Sequence, residues 1–490
     1  MSVSVNPRPT APEDAAGVER LALQVQLASF EGPRLAPEWS ALLAEGLGGI
    51  CLFGSNLTGD RDDVADLVAD IRRVRPAALV GLDEEGGDVT RLHIRAASPV
   101  PGAAVLGRID DADLTASVGR AVGTDLASVG IDLDLGPVAD VNSNPDNPVI
   151  GTRSFAGDPA VAGRHVAAWV RGLQSAGVAA CVKHFPGHGD TAQDSHLMLP
   201  VLEAEVAVLE RRELPPFAAA IAAGAATVMT SHLVVPVLDD ALPATFSAAI
   251  LGRLRTMGFE GAIVSDALDM AGASAGRGIP AAAVLSLAAG ADLLCIGPDK
   301  PAALVREVQA AIVAAVEDGS LPLQRLRDAA ARTAAVQDRA GHPAGTPGEP
   351  VTAERLRAAT RTAFDLEGAL PDLTGARVLS LETEANIAVG PGRWGVDPDL
   401  RVDPADAGLP DGPLVVQVRD AHRRTDVSAV LARLAERDEP ALVVEWGWPG
   451  PRTGWDTPAG AHLARLCTWG NSRPAIEAVE EMLREAGWRR

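Results

Sequence analysis

Along the first two thirds of the chain, short runs of Val, Leu, Ile and Ala recur with few polar residues inside them. They are residues 21–29 (LALQVQLAS), 48–54 (GGICLFG), 77–83 (AALVGLD), 131–138 (IDLDLGPV), 178–185 (VAACVKHF), 226–233 (ATVMTSHL), 261–268 (GAIVSDAL) and 291–297 (ADLLCIG). A strand with one wet face alternates apolar and polar positions. A run without that alternation suits a strand covered on both faces, as in a parallel sheet. Stretches of helical character separate the runs, such as DVADLVADIRRV and AVAGRHVAAWVRGLQSAG. Eight strand–helix units over about 300 residues predict a (β/α)8 TIM-type barrel rather than a doubly wound open sheet.

The helical pattern ends near Ala340, and GHPAGTPGEP (341–350) reads as a linker. A short helix, TAERLRAATRTAF, follows it. Then come four strand-like runs (ARVLSLE, GPLVVQVRD, PALVVEWGWP, HLARLCTWG) and two helical ones (SAVLARLAER, PAIEAVEEMLREAG). The predicted organisation is an N-terminal tail (1–19), the barrel (20–340), a linker with a short helix (341–372) and a smaller α/β sandwich domain (373–490). Six of the eight Trp lie in this last domain. Packing is the preferred role for them, ahead of a sugar-stacking surface made by Trp446, Trp448 and Trp455.

Composition narrows the function. A chain that is 47% hydrophobic and 22% charged has material for a large core. The formal charge of −22, without a Lys/Arg run, excludes the basic footprint that nucleic acid requires. No apolar run reaches the length of a membrane span, and the first residues carry neither the basic nor the apolar segment of a secretory signal. Cys51, Cys181, Cys295 and Cys467 each lie in an apolar run without a C-x-x-C pair, which reads as buried reduced thiols and a cytoplasmic setting.

The chemistry-bearing residues fall at the C-terminal ends of the apolar runs, where a barrel gathers its catalytic groups. Asp83 closes the third run, and Asp140, Asn142 and Arg153 follow the fourth. Lys183 and His184 close the fifth, Ser231 and His232 the sixth, and Asp266 the seventh. The densest stretch is KHFPGHGDTAQDSHLMLP (183–200), with three of the nine His and one of the two Lys. Its glycines allow a loop that closes over a substrate. One residue separates Asp194 from His196, so a local hydrogen bond is feasible. It would stabilise an imidazolium that gives up a proton and later takes it back. A strand-end carboxylate such as Asp266 complements that pair as a nucleophile; its ordinary alternative is a helix N-cap. The spacing of His184, His188, Asp190 and His196 matches no compact zinc signature, so neither metal nor cofactor is expected.

These segments together resemble glycoside hydrolase family 3, and within it the bacterial β-N-acetylglucosaminidases. KHFPGHGD followed by DSH and LP is similar to the catalytic loop of that subgroup, and LDEEGGDVTRL to the family's D-x-E-G-G-x-V-x-R segment. GPVADVN, VIGTRSFAGDP, VMTSHLVVP, PATFS, VSDALDM and AAGADLLCIG match in the same order. The likeness is strong over about residues 20–335. Asp88 departs from it, standing where many members carry Arg, in the manner of an actinobacterial branch. The resemblance implies a retaining exo-β-N-acetylglucosaminidase with Asp266 as nucleophile and Asp194–His196 as acid/base. Asp83, Arg91, Arg153, Lys183 and His184 would hold the sugar hydroxyls. His232 is carried with this set, packing being its equal alternative. His188 and Asp190 are expected to shape the loop. The expected partner is a small N-acetylglucosamine conjugate such as a peptidoglycan recycling fragment. A phosphorylase using the same residues, with phosphate as acceptor, is the rival reading. A sugar-binding protein without turnover is a third, opposed by the intact Asp266, Asp194 and His196. Oligomeric state is left open.

Overall fold

The computed structural model describes residues 15–193, 199–274, 276–339, 341–343, 349–383, 386–452, 454–455 and 462–489. Eight parallel strands form the first sheet: β1 (Gln26–Ala28), β2 (Gly49–Cys51), β3 (Leu79–Leu82), β4 (Leu133–Asp134), β5 (Ala179–Phe185), β6 (Thr227–Thr230), β7 (Ala262–Val264) and β8 (Leu294–Cys295). Their order is β7-β6-β5-β4-β3-β2-β1-β8, and a parallel bridge between Val264 and Leu293 closes the ring. This is the barrel expected from the eight apolar runs. Every strand residue is buried. Leu27, Cys51, Leu79, Leu133, Cys181 and Val264 belong to a cluster that fills the interior, while the opposite strand faces meet the helices. All four cysteines are free and buried.

The helices form for local reasons. That spanning Arg61–Val74 starts at Asp60, whose carboxylate accepts the Asp62 and Asp63 amides, and Arg72 and Arg73 occupy its last turn. Val64, Leu67, Val68 and Ile71 recur at helical spacing and are its buried residues. The first apolar run divides differently from the prediction. Residues 21–24 end a helix, Ala15–Gln24, and only Gln26–Ala28 is strand. An apolar run without alternation does not separate a buried helix end from a buried strand. The helix also takes in residues 15–19, which had been assigned to the tail.

The second sheet has six strands: β9 (Asp365–Glu367), β10 (Arg377–Leu381), β11 (Leu400–Val402), β12 (Leu414–Val418), β13 (Ala441–Glu445) and β14 (Leu463–Cys467). Their order is β11-β10-β12-β13-β14-β9, all parallel except β9 against β14. Apolar clusters cover both faces. The helix Ala353–Thr362 pairs with the helix Arg473–Glu485 through Arg357–Glu481 at 2.8 Å and Arg361–Glu485. The short helix predicted after the linker is present, and it and β9 pack with the second domain, although both fall in the 341–372 stretch set apart from that domain. Trp446 and Trp455 are 1% and 2% exposed, so they pack the interior. Trp448 sets its ring edge against Trp469 at 5.1 Å. Among the described residues no helix is long and apolar enough to cross a membrane.

Candidate active site

The C-terminal ends of the barrel strands open into a cavity of about 540 Å3. Beyond β3 the chain presents three acids in succession. Asp83 and Glu85 line the cavity, while Glu84 faces away and accepts the amides of Arg91 and Leu92 at 2.8 and 3.1 Å. The period-two alternation of extended backbone accounts for this split. That same period, applied to Asp83, points to Glu85, which the sequence reading had left out of the site. The loop turns back at Gly86 and Gly87, both at positive φ. A Cβ on Gly87 would run into the backbone of Gly102, so no larger residue fits there.

A chain of buried charges crosses the cavity wall. Lys183 Nζ donates to Asp83 Oδ1 at 2.6 Å and pairs with Glu85 Oε1 at 2.7 Å. Arg153 grips Glu85 with two donors, Nε at 2.9 Å and Nη2 at 2.7 Å. Burial would push the Glu85 carboxyl up, but Arg153 and Lys183 outweigh it and hold the group well below the usual carboxylate range. Lys183 responds in the opposite sense: burial works against its charge, yet Asp83 and Glu85 raise it above an ordinary lysine. Three of the residues expected to bind substrate thus share one ion network, with Glu85 as its hub.

At the end of β5, Asp140 orients the next group. Its Oδ2 accepts His184 Nδ1 at 2.7 Å, and its Oδ1 accepts the backbone amides of His184 and His188 at 3.2 and 2.8 Å. Burial opposes the Asp140 charge, but the neighbouring His184 holds the carboxyl below its ordinary value. The His184 tautomer is thereby set with Nδ1 protonated, and the ring lines the cavity. His188 also lines it. Its Nδ1 meets Thr191 Oγ1 at 2.8 Å, among the described residues its buried Nε2 has no hydrogen-bond partner, and burial lowers its pKa to about 4. It is neutral near pH 7.

Asp266 follows β7 and lines the opposite part of the cavity, half-buried. Its amide donates to Thr230 Oγ1 at 3.3 Å, and its Oδ1 accepts the Ala267 amide at 2.7 Å. His232 lies behind this turn, fully buried. Its Nε2 meets the Ala267 carbonyl at 2.9 Å and its Nδ1 meets Thr245 Oγ1 at 2.8 Å. His232 is outside the cavity lining and bonds the turn that carries Asp266 from behind. Asp194 and His196 lie outside the described residues.

The remaining wall comes from the second domain. Ile387, Ala388, Gly390 and Pro391 complete the cavity lining. Arg91 fixes this loop, donating to the carbonyls of Ala388 at 2.6 Å and Val389 at 3.2 Å. Arg91 had been expected to hold sugar hydroxyls. It lines the cavity, but two of its nitrogens are given to the loop. Asp88 bridges the domains too: it accepts Thr152 Oγ1 at 2.8 Å and the Asn471 amide at 3.3 Å, and burial lifts its carboxyl to about 6. No sequence signal marked residues 386–391, since their contacts lie some 300 residues away in the chain.

Comparison with known proteins agrees with this geometry. The family described as "Glycosyl hydrolase family 3 N terminal domain" matches residues 23–336. A beta-hexosaminidase of Neisseria meningitidis serogroup C is 38% identical over 274 residues, which is 54% of this chain and 75% of that protein. The solved family 3 beta-N-acetylglucosaminidase of Paenibacillus sp. FPU-7 superposes with a TM-score of 0.85 at 28% identity, over 96% of each chain. NagZ from Neisseria gonorrhoeae, solved in complex with N-trifluoroacetyl-D-glucosamine, gives a TM-score of 0.55 at 32% identity over 69% of this chain and 93% of its own.

Proposed function

The chain belongs to glycosyl hydrolase family 3 and is a glycosidase of its β-N-acetylglucosaminidase type, and from that premise we propose a double displacement with named residues. The Asp266 carboxylate attacks the anomeric carbon of a terminal β-linked N-acetylglucosamine, while His196 protonates the departing oxygen. His196 then deprotonates a water, which releases the sugar with net retention. Asp194 stabilises the imidazolium between the two steps. Asp83, Lys183, Arg153 and His184 hold the sugar hydroxyls.

The observation that carries this reading is the placement of Asp266 in one cavity with the Asp83–Lys183–Glu85–Arg153 network. A polar, pre-paired wall facing a carboxylate suits a neutral polyhydroxylated ring. The cavity volume matches a small ligand rather than a polymer groove. The natural substrates are small conjugates such as peptidoglycan recycling fragments, met in the cytoplasm; the four unpaired thiols support a reducing compartment.

The test is turnover of an aryl N-acetyl-β-glucosaminide by the wild type, Asp266→Asn and His196→Ala, with and without phosphate. Free N-acetylglucosamine from the wild type, with both variants inactive, is the expected result. Sugar 1-phosphate in the presence of phosphate would make the chain a phosphorylase. Absence of wild-type turnover would remove the proposed reaction.

A further inference from the structure

Behind the loop of residues 386–391 lies a second cavity, of about 740 Å3, between the barrel and the second domain. Arg95, Arg393, Arg401 and Arg419 line it against two acids, Glu382 and Asp397. That balance runs against a chain whose formal charge is −22. Arg419 is the unusual member. Its guanidinium lies over the Trp394 ring, 4.2 Å from the centroid, and among the described residues its buried Nε has no hydrogen-bond partner. Among the described residues it has no ion pair.

The nearby carboxylates do not answer it, because each is held elsewhere. Glu382 pairs with Arg401 at 2.9 Å, Asp397 with Arg393 at 3.0 Å and Asp420 with Arg423 at 2.8 Å. Asp88 accepts Thr152 and Asn471, and Glu445 accepts the amides of Asp420, Ala421 and Gly447. Burial accordingly lowers the Arg419 pKa despite these acids. Arg419 is half-buried and lines the cavity, and among the described residues its Nη groups make no hydrogen bond, so they are left to meet a ligand there. Its place over the Trp394 indole restrains the guanidinium, and a planar fork suits two oxygens of a carboxylate or phosphate.

We propose that Arg419, placed over the Trp394 ring, is the centre of an oxyanion-binding site that takes a carboxylate or phosphate next to the candidate active-site cavity. Ile387, Gly390 and Pro391 line both cavities, so the loop is a shared partition. A leaving group that extends past this partition brings an anionic end to Arg419. This use of the site rests on the glycosidase reading above, and it makes the chain selective for acidic conjugates.

Two arms separate the sources of the anion. In the first, kcat/KM is measured for an aryl N-acetyl-β-glucosaminide bearing a carboxylate on a flexible tether from the aglycone, and for its methyl ester. The wild type should prefer the acid by about tenfold. Arg419→Gln should bring the ratio to about one, and Arg419→Lys, which keeps charge without the fork, should fall between. In the second arm, inorganic phosphate is titrated calorimetrically into the wild type and Arg419→Gln. Saturable binding lost in the variant, with no preference in the first arm, would assign the site to a free anion. No acid preference and no Arg419-dependent phosphate binding would overturn the proposal. The calorimetric arm reads the site even if the ester is not turned over, a result that would fall on the glycosidase reading alone.

Discussion

Asp266 and Glu445 occupy equivalent places in the two halves of the molecule, each at the C-terminal end of a parallel strand, and they do different work. Glu445 ends β13 fully buried. Its Oε1 accepts the amides of Asp420 and Gly447 at 2.8 and 2.9 Å, and its Oε2 accepts that of Ala421 at 3.1 Å. It ties a loop to the sheet. Asp266 is half-buried, and its side chain lines a cavity shared with two cations, Lys183 and Arg153. A polar residue at a strand end is therefore no sign of chemistry by itself. What distinguishes the barrel is the cavity and the side-chain partners gathered around it.

Exchanging the two carboxylates for amides tests this contrast most sharply. Asp266→Asn should lower kcat on an aryl N-acetyl-β-glucosaminide by at least about a thousandfold, since it removes the proposed nucleophile. Glu445→Gln should leave kcat within about twofold and lower the thermal midpoint, because replacing one of the two acceptor oxygens by an NH2 leaves at least one of the three backbone N–H donors without its acceptor, at about 1–3 kcal/mol. A comparable loss of kcat in both variants would erase the distinction.

The next effect concerns Glu85. Glu85→Gln leaves Lys183 and Arg153 without their shared anion, which should destabilise the barrel by about 3–5 kcal/mol. The folded pKa of Glu85 is depressed, so its contribution is present above the unfolded carboxylate value, about 4.3, and is lost as pH falls further. Melting the two proteins between pH 3 and 7 should show the gap narrowing at the acid end. A gap that widens there would contradict the network.

Glu213 gives the smaller effect, with the opposite sign. It is fully buried near Gly187 and paired with Arg212, and among the described residues its Oε2 has no hydrogen-bond partner. Burial lifts its pKa to about 7 against Arg212, with Asp140 and Asp190 adding to the rise. The folded state thus holds a proton that the unfolded state has released. Stability from this group is complete below the unfolded value of 4.5 and declines as pH rises through about 7, by about 3 kcal/mol in all. Glu213→Gln should match wild type near pH 4.5 and melt higher at pH 8. Equal midpoints at both pH values would show that Glu213 is ionised throughout.

Much of this was legible in the chain. All eight barrel strands lie within the apolar runs, because strands covered on both faces write continuous hydrophobicity into the sequence. The edge strands β9 and β11 were missed. Leu-containing triplets with exposed residues, DLE and LRV, carry no such signature and form only through pairing with distant strands. Asp83, Arg153, Lys183, His184 and Asp266 are assembled in one cavity, as motif order suggested. For His232 contact and packing are equal alternatives in the sequence, because an imidazole that packs behind a turn and one that faces a ligand are spelled alike; it is buried and bonded to the Ala267 carbonyl and Thr245. The wall at residues 386–391 was invisible, since nothing local records which barrel residue it meets.

That wall also has a consequence in time. Arg91 and Ala388 are 297 residues apart. At about 5–20 residues per second, roughly 15–60 s of synthesis separate the clamp from the loop it grips. A newborn barrel can close its ring and seat Asp266 within that interval, yet its cavity stays open on one side. Completion of the site thus waits for the second domain to be synthesised.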